Sequence, residues 1–354
     1  MRKIGLILAV TLIFVSCQNG KKKSSSSTES TITLSAAGAT FPLPFYNMSF
    51  AKYSKLTGVK VSYGGIGSGG GIRSLKDKVV DFGASDAFLS DEEISAMPAA
   101  IVHLPTCSGA VVVAFNLSGI QEIKLNPEVL TKIFTGKITK WSDAELKKIN
   151  PNITFPELPI IVVHRSDGSG TTNMFTDYLC KVSNEWKTKF GSGKTVNWPT
   201  GIGAKGNPGV AGTVNHTIGS IGYIGSEYAF AEKISTALLQ NQAGNYIKPS
   251  IASVSAAGKG DLPADTRVMI TNSSAVDAYP ISGFTWLILY KEQSYMNRSL
   301  AQTEATLKLL DWILGSDAQA IAKQTNYAPL PAPVVERAKA ILRTVTYNGQ
   351  PVLK

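Results

Sequence analysis

One junction recurs along this chain and constrains its fold more than any other feature. An apolar, strand-like run stops in a loop of glycine, serine and threonine, and a helical pattern follows at once. The fullest case is "VVHRSDGSGTTNMFTDYL", residues 162–179. Its strand-like run ends in Arg165 and Asp167, of opposite charge, and its loop then supplies Gly168, Ser169, Gly170 and Thr171. Elsewhere strand-like "TITLSA" is followed by helical "LPFYNMSFAKYSKLTG" and then alternating "VKVSYG". "SGAVVVAFNL", "GSIGYIGSEYAFAEKI" and "SGFTWLILYK" continue the theme. Strands that alternate with helices predict an α/β fold with a largely parallel sheet. Toward the C-terminus Leu307, Leu310, Ile313 and Leu314 share one helical face, and Val334, Ala338, Ile341 and Leu342 share another.

The loops at these junctions are rich in hydrogen-bond donors. In "GATFP" Thr40 and Phe41 precede Pro42, and proline suits the first turn of a helix, whose unpaired N–H groups attract anions. Capping of that helix by Thr40 is the plainer alternative. "GGIGSGGG", residues 64–71, follows a strand and precedes a helical stretch expected to begin near Ile72. Its glycines let successive N–H groups point inward, and Ser68 adds a hydroxyl. Gly65, Gly67 and Gly70 also match GxGxxG, with Asp86 where a ribose-binding acid could stand, but a lone match is weak and an exported chain would have to find a nucleotide cofactor outside the cytoplasm. In the third loop Arg165 presents a fork of donors suited to paired oxygens, Ser169 and Thr171 add hydroxyls, and Gly170 adds a backbone N–H. An ordinary turn with an Arg–Asp surface pair is its alternative.

Two acids, Asp86 and Asp167, look out of place in an anion site, since like charges at 4 Å repel by about 4 kcal/mol at an effective dielectric of 20. A carboxylate is useful there if the ligand oxygen facing it still carries a proton. Hydrogen phosphate and dihydrogen phosphate carry one, and sulfate at neutral pH does not. Either aspartate therefore qualifies as a selectivity element, the other then orienting Arg165, because mismatched buried polar groups discriminate by about four to five powers of ten.

The first residues, "MRKIGLILAVTLIFVSCQ", join a basic start to an apolar run too short to span a bilayer, which reads as an export signal. Ser16 followed by Cys17 resembles a bacterial lipoprotein signal, so Cys17 is expected to start the mature chain and carry a lipid. Residues 1–16 are then the signal, and "QNGKKKSSSSTES" up to residue 30 is a flexible tether. The formal charge of +10 loses Arg2 and Lys3 with the signal, and this excess favours anionic partners. The lysines are dispersed apart from Lys21–Lys23, which argues against nucleic acid. Cys107 and Cys180 remain as one potential disulfide or as two buried thiols. His103, His164 and His216 are scattered, and nothing has metal-ligand spacing.

Taken in order, "GATFPLPFY", "VSYGGIGSGGGIRSL", "VDFGASDAFLSDEE", "GKITKWSD", "VVHRSDGSGTTNMFTDYL", "GIGAKGNPGVAG", "GSIGYIGSEYA" and "PISGFTWLILYK" resemble the phosphate-binding proteins of the bacterial phosphate-specific ABC transporter. The resemblance runs over nearly the whole mature chain. It implies a two-lobed, hinge-linked periplasmic-binding-protein fold with the ligand in the interlobe cleft. Lobe I would comprise residues 31–106 and 283–354, lobe II residues 107–282, with crossings near Thr106 and Ser282. The implied phosphate ligands are Thr40, Phe41 through its backbone N–H, Ser68, Asp86, Arg165, Asp167, Ser169, Gly170 and Thr171. No cofactor is implied. A monomer is expected, held at the exported side of a membrane by its lipid and passing phosphate to permease subunits and, through them, to an ATPase. Two other readings stand beside it. One is a phosphate-releasing hydrolase using Ser169 or Ser68, although neither serine lies in a G-x-S-x-G elbow. The other is a surface sensor or adhesin on the same fold.

Overall fold

The computed structural model describes residues 32–260 and 262–353. The expected signal, Cys17 and the tether lie outside the described residues. Eight strands line up across one sheet: β1 (Thr33–Gly38), β2 (Lys60–Gly65), β3 (Phe82–Ser85), β4 (Ile101–Phe115), β5 (Ile161–Arg165), β6 (Ile202–Ala204), β7 (Ser220–Gly225) and β8 (Ser282–Tyr290). Their spatial order is β2-β1-β3-β8-β4-β7-β5-β6, with the short strand Ser235–Thr236 also paired to β4.

Pairing is parallel for β1 with β2 and β3, and for β5 with β6 and β7. It is antiparallel for β8 with β3 and β4, and for β4 with β7. The largely parallel sheet expected from the sequence is thus a mixed one, parallel toward its outer thirds and antiparallel at its centre. The centre gives no sequence signal of its direction. All nine residues of β8 are buried, and a strand covered on both faces reads as one continuous apolar run whichever way it runs.

Strand β4 changes partner along its length. Residues Ile101 to Ala110 face β8, and Val111 to Phe115 face β7. The strand is buried from His103 onward, so it carries core from one half of the sheet into the other.

Four helices begin at the ends of parallel strands: α1 (Leu43–Thr57), α2 (Ser68–Lys76), α3 (Gly170–Val182) and α4 (Gly206–His216). Helix α1 buries Phe45, Tyr46, Phe50 and Tyr53 and ends at Gly58, whose left-handed φ of 78° closes the last turn onto Ser54. Helix α3 is held by Phe175, which stacks at 4.4 Å and 7° on Tyr223 of β7. Helix α2 starts at Ser68 rather than near Ile72, so Gly69, Gly70 and Gly71 are helical despite their low propensity. Close approach explains this: a Cβ on Gly71 would lie 2.5 Å from the Gly38 Cα, and one on Gly69 would lie 3.2 Å from the Gly168 Cα. The C-terminal apolar faces are Leu307, Leu310, Ile313 and Leu314 on helix Leu300–Leu314, and Val334, Ala338 and Leu342 on helix Ala332–Arg343. Among the described residues no helix is long and apolar enough to cross a membrane.

Candidate functional site

Helices α1, α2, α3 and α4 point their N-termini at one place, where both halves of the sheet meet. The contacts there run from one half to the other. Ser68, first residue of α2, accepts the N–H of Gly170, first residue of α3, at 3.0 Å. The Gly69 N–H donates to the Gly168 carbonyl at 2.9 Å. Thr40, before α1, accepts from both the backbone N–H and the Nδ2 of Asn207, each at 3.0 Å. The Thr40 hydroxyl therefore serves the cleft and makes no cap bond to α1. Converging N-termini sum their partial positive charges and orphan N–H groups, the general recipe for an anion site.

The sequence-predicted residues gather here. Thr40, Phe41, Ser68, Asp86, Arg165, Ser169 and Thr171 are all buried, and Gly170 lies among them. Phe41 sets its ring edge-on to Tyr327 at 5.9 Å, and its carbonyl accepts from the Tyr327 hydroxyl. The Ser169 hydroxyl caps α3 by accepting the Thr172 N–H at 3.0 Å. Gly170 has no room for a side chain: a Cβ would meet the Asp86 Cβ at 2.5 Å and the Ser68 Oγ at 2.6 Å.

The two aspartates occupy different environments. Asp167 takes Arg165 in a two-point ion pair, Nε to Oδ1 at 2.7 Å and Nη2 to Oδ2 at 2.6 Å. The Arg165 side chain is 1% exposed, so this is not the surface pair that a plain turn would hold. Asp167 Oδ1 also accepts the Gly206 N–H at the start of α4, at 3.0 Å. Burial alone would raise the Asp167 carboxyl, but Arg165 and the Gly206 N–H outweigh it and hold the pKa below its ordinary value. Asp86 is 1% exposed, and among the described residues no arginine is bonded to it. Its carboxylate accepts from the Thr285 hydroxyl at 2.8 Å and from the Ser68 hydroxyl at 3.4 Å. Burial pushes its pKa up to about 7, against the pull of those bonds and of the Arg165 charge.

Thr285 and Asn207 complete the cluster and escaped the sequence reading. Thr285 lies inside the apolar run of β8, where a threonine passes for a strand former. Asn207 follows a glycine and precedes a proline, the composition of a turn. Its one available signal was its place in "GIGAKGNPGVAG". It is fully buried, and besides Thr40 it reaches the Thr171 Oγ1 at 3.1 Å and accepts the Gly225 N–H at 3.0 Å. Arg165 Nη1 approaches the same Thr171 oxygen at 3.4 Å.

The other residues singled out from the sequence stand apart from this chemistry. His103 is buried and accepts the Leu89 N–H at 3.1 Å, with burial pushing its pKa down to about 4. His164 stacks on Trp198 at 5.0 Å. Cys107 and Cys180 are both free, the first buried and the second half-exposed, so they form no disulfide.

Comparison with known proteins gives this arrangement a context. The PBP superfamily domain matches residues 24–317. The phosphate-binding protein PstS of Xylella fastidiosa (strain 9a5c) is 39% identical over 330 residues, covering 91% of this chain and 89% of that protein. Its counterpart from Haemophilus influenzae is 40% identical over 317 residues, with 88% and 93% covered. PfluDING, a high-affinity periplasmic phosphate-binding protein solved with phosphate bound, superposes with a TM-score of 0.69 at 24% identity, covering 87% of this chain and 93% of that one. An ABC-type phosphate transport receptor from Vibrio cholerae gives 0.54 at 18% identity, with 84% and 100% covered. The fold is the two-lobed periplasmic-binding-protein fold. With a superfamily match over most of its length and relatives near 40% identity across nearly all of it, the chain belongs to the PBP superfamily and, within it, to the PstS phosphate-binding proteins.

Proposed function

We propose that this protein captures inorganic phosphate on the exported side of the cytoplasmic membrane and delivers it to an ABC-type permease. One observation carries the reading: a buried carboxylate, Asp86, stands among hydroxyl, guanidinium and helix N-terminal donors in a cleft between two halves of a sheet. A pocket of donors alone would take any tetrahedral dianion. One acceptor among them favours an anion that brings a proton to it, which hydrogen phosphate does and sulfate does not.

In this reading Thr40, Phe41, Ser68 and Asp86 act from one lobe, and Arg165, Ser169, Gly170 and Thr171 from the other. Asp167 holds the guanidinium in place rather than meeting the anion. The partner change of β4 between Ala110 and Val111, and the return at Ser282, support placing the two crossings there, four residues beyond Thr106 in the first case. Phosphate would then draw the lobes together about these strands. Delivery to permease subunits and their ATPase is part of the proposal, in keeping with the Vibrio cholerae neighbour's description as an ABC-type phosphate transport receptor. Attachment through a lipidated Cys17 is part of the proposal and is checked by fatty-acid labelling that marks wild type and not Cys17→Ala. No bond is broken or formed in the cycle, which sets the proposal against the hydrolase reading.

Calorimetry on the purified protein tests the function. Tight binding of phosphate, weak binding of sulfate and loss of phosphate binding in Arg165→Ala are expected. Steady release of phosphate from phosphomonoesters, or equal affinity for both anions, would overturn it.

A further inference from the structure

We propose that Asn207 is a positioning residue that fixes which way the hydroxyl protons of the cleft point. The inference rests on the phosphate-binding reading and adds a residue to it. It starts from the orientation of one amide. The Gly225 N–H can only donate, so the atom of Asn207 that faces it at 3.0 Å must be the carbonyl oxygen. Nδ2 consequently faces Thr40 Oγ1 at 3.0 Å and Thr171 Oγ1 at 3.1 Å, and it donates to both.

A hydroxyl oxygen has two lone pairs and one proton. Thr40 Oγ1 receives the Asn207 N–H and Nδ2–H, both donor-only groups, so both its lone pairs are occupied. Thr171 Oγ1 receives Asn207 Nδ2–H and Arg165 Nη1–H, with the same result. Ser68 Oγ receives the N–H groups of Asp86 and Gly170. Each of these hydroxyls has only its proton left and is thereby committed to donate: Ser68 gives its proton to Asp86 Oδ2 at 3.4 Å, while those of Thr40 and Thr171 are left for the ligand. Asn207 supplies three of the donors that enforce this, and because it bonds Thr40 and Thr171 at once, it sets both hydroxyls in one step. Asp86 then remains the acceptor against which the proton on the ligand is read.

The test is a double-mutant cycle read by phosphate calorimetry. Asn207→Asp keeps the shape and the acceptor for Gly225 but places a second acceptor where the donors stood, so the hydroxyl protons turn toward it. In the wild-type background Thr40→Val should weaken phosphate binding about tenfold to a hundredfold. In the Asn207→Asp background the same change should cost less than about threefold, because that hydroxyl is already lost to the ligand. Equal factors in both backgrounds would overturn the proposal, leaving Asn207 as packing alone. If Asn207→Asp does not fold, Asn207→Ala with Thr171→Val runs the same cycle, and independent costs again refute it. A wild-type protein that fails to bind phosphate would instead bring down the functional reading itself, so the two failures are told apart.

Discussion

Asp86 and Asp167 share a residue type and a cleft, yet their partners separate them. Asp167 is bound at both oxygens by Arg165 and caps the first N–H of α4, which keeps it ionised. Asp86 has hydroxyl partners and a carboxyl raised to about 7, which suits it to share a proton with a ligand. Asp167→Asn should therefore weaken phosphate binding by about tenfold through a less constrained Arg165, with the phosphate-to-sulfate ratio unchanged in competitive calorimetry. The sequence showed which residues were polar, small and charged at the right junctions, but it left open which aspartate did which work. That choice depends on Gly206 and Thr285, distant in sequence from both acids, and only folding brings them near.

At the scale of elements, the cleft is a set of helix starts. Strands and helices were legible wherever an apolar run met a glycine-rich loop, because that pattern is local. The start of α2 was not, since three successive glycines argue against a helix, and the crowding of Gly71 against Gly38 and of Gly69 against Gly168 appears only in the folded chain. The direction of β4 and β8 was equally silent, because burial on both faces erases the alternation that would reveal it. Two substitutions test the element account. Ser169→Ala removes the N-cap of α3 and should lower unfolding free energy by about 1 kcal/mol in denaturant titration. Gly170→Ala places a methyl 2.5 Å from the Asp86 Cβ, so the halves cannot meet as they do, and phosphate binding should fall while each half keeps its helices by circular dichroism.

Across the whole molecule, a contact outside the cleft also joins the two halves. Lys194 pairs with Glu93 at 2.7 Å across the halves, whereas Arg267, whose neighbour Thr266 bonds His103 and Trp286 of the first half, pairs with Asp91 at 2.7 Å within that half. These pairs are partly exposed, so each is worth about 1 kcal/mol or less. Lys194→Ala should accordingly speed phosphate release in stopped-flow by no more than about fivefold, with the wild-type rate itself rising with salt. Stability should also depend on pH in a definite direction. Burial raises Asp86 to about 7 and Glu227 to about 8, so from the ordinary carboxylate range up to about pH 8 the folded chain holds protons that the unfolded chain has released. Their contribution is fully present below the ordinary carboxylate range and is lost as pH rises through 7 and 8, so the Tm should fall across that window and fall less in Asp86→Asn.

The central claim is that one buried acceptor among donors reads the proton on the anion, and Asp86→Asn addresses it most directly. Competitive calorimetry of phosphate and sulfate on wild type and Asp86→Asn should show phosphate affinity falling, sulfate affinity rising or holding, and the ratio between them narrowing by about a hundredfold or more. An unchanged ratio would contradict the account and leave Asp86 as a structural partner of Thr285.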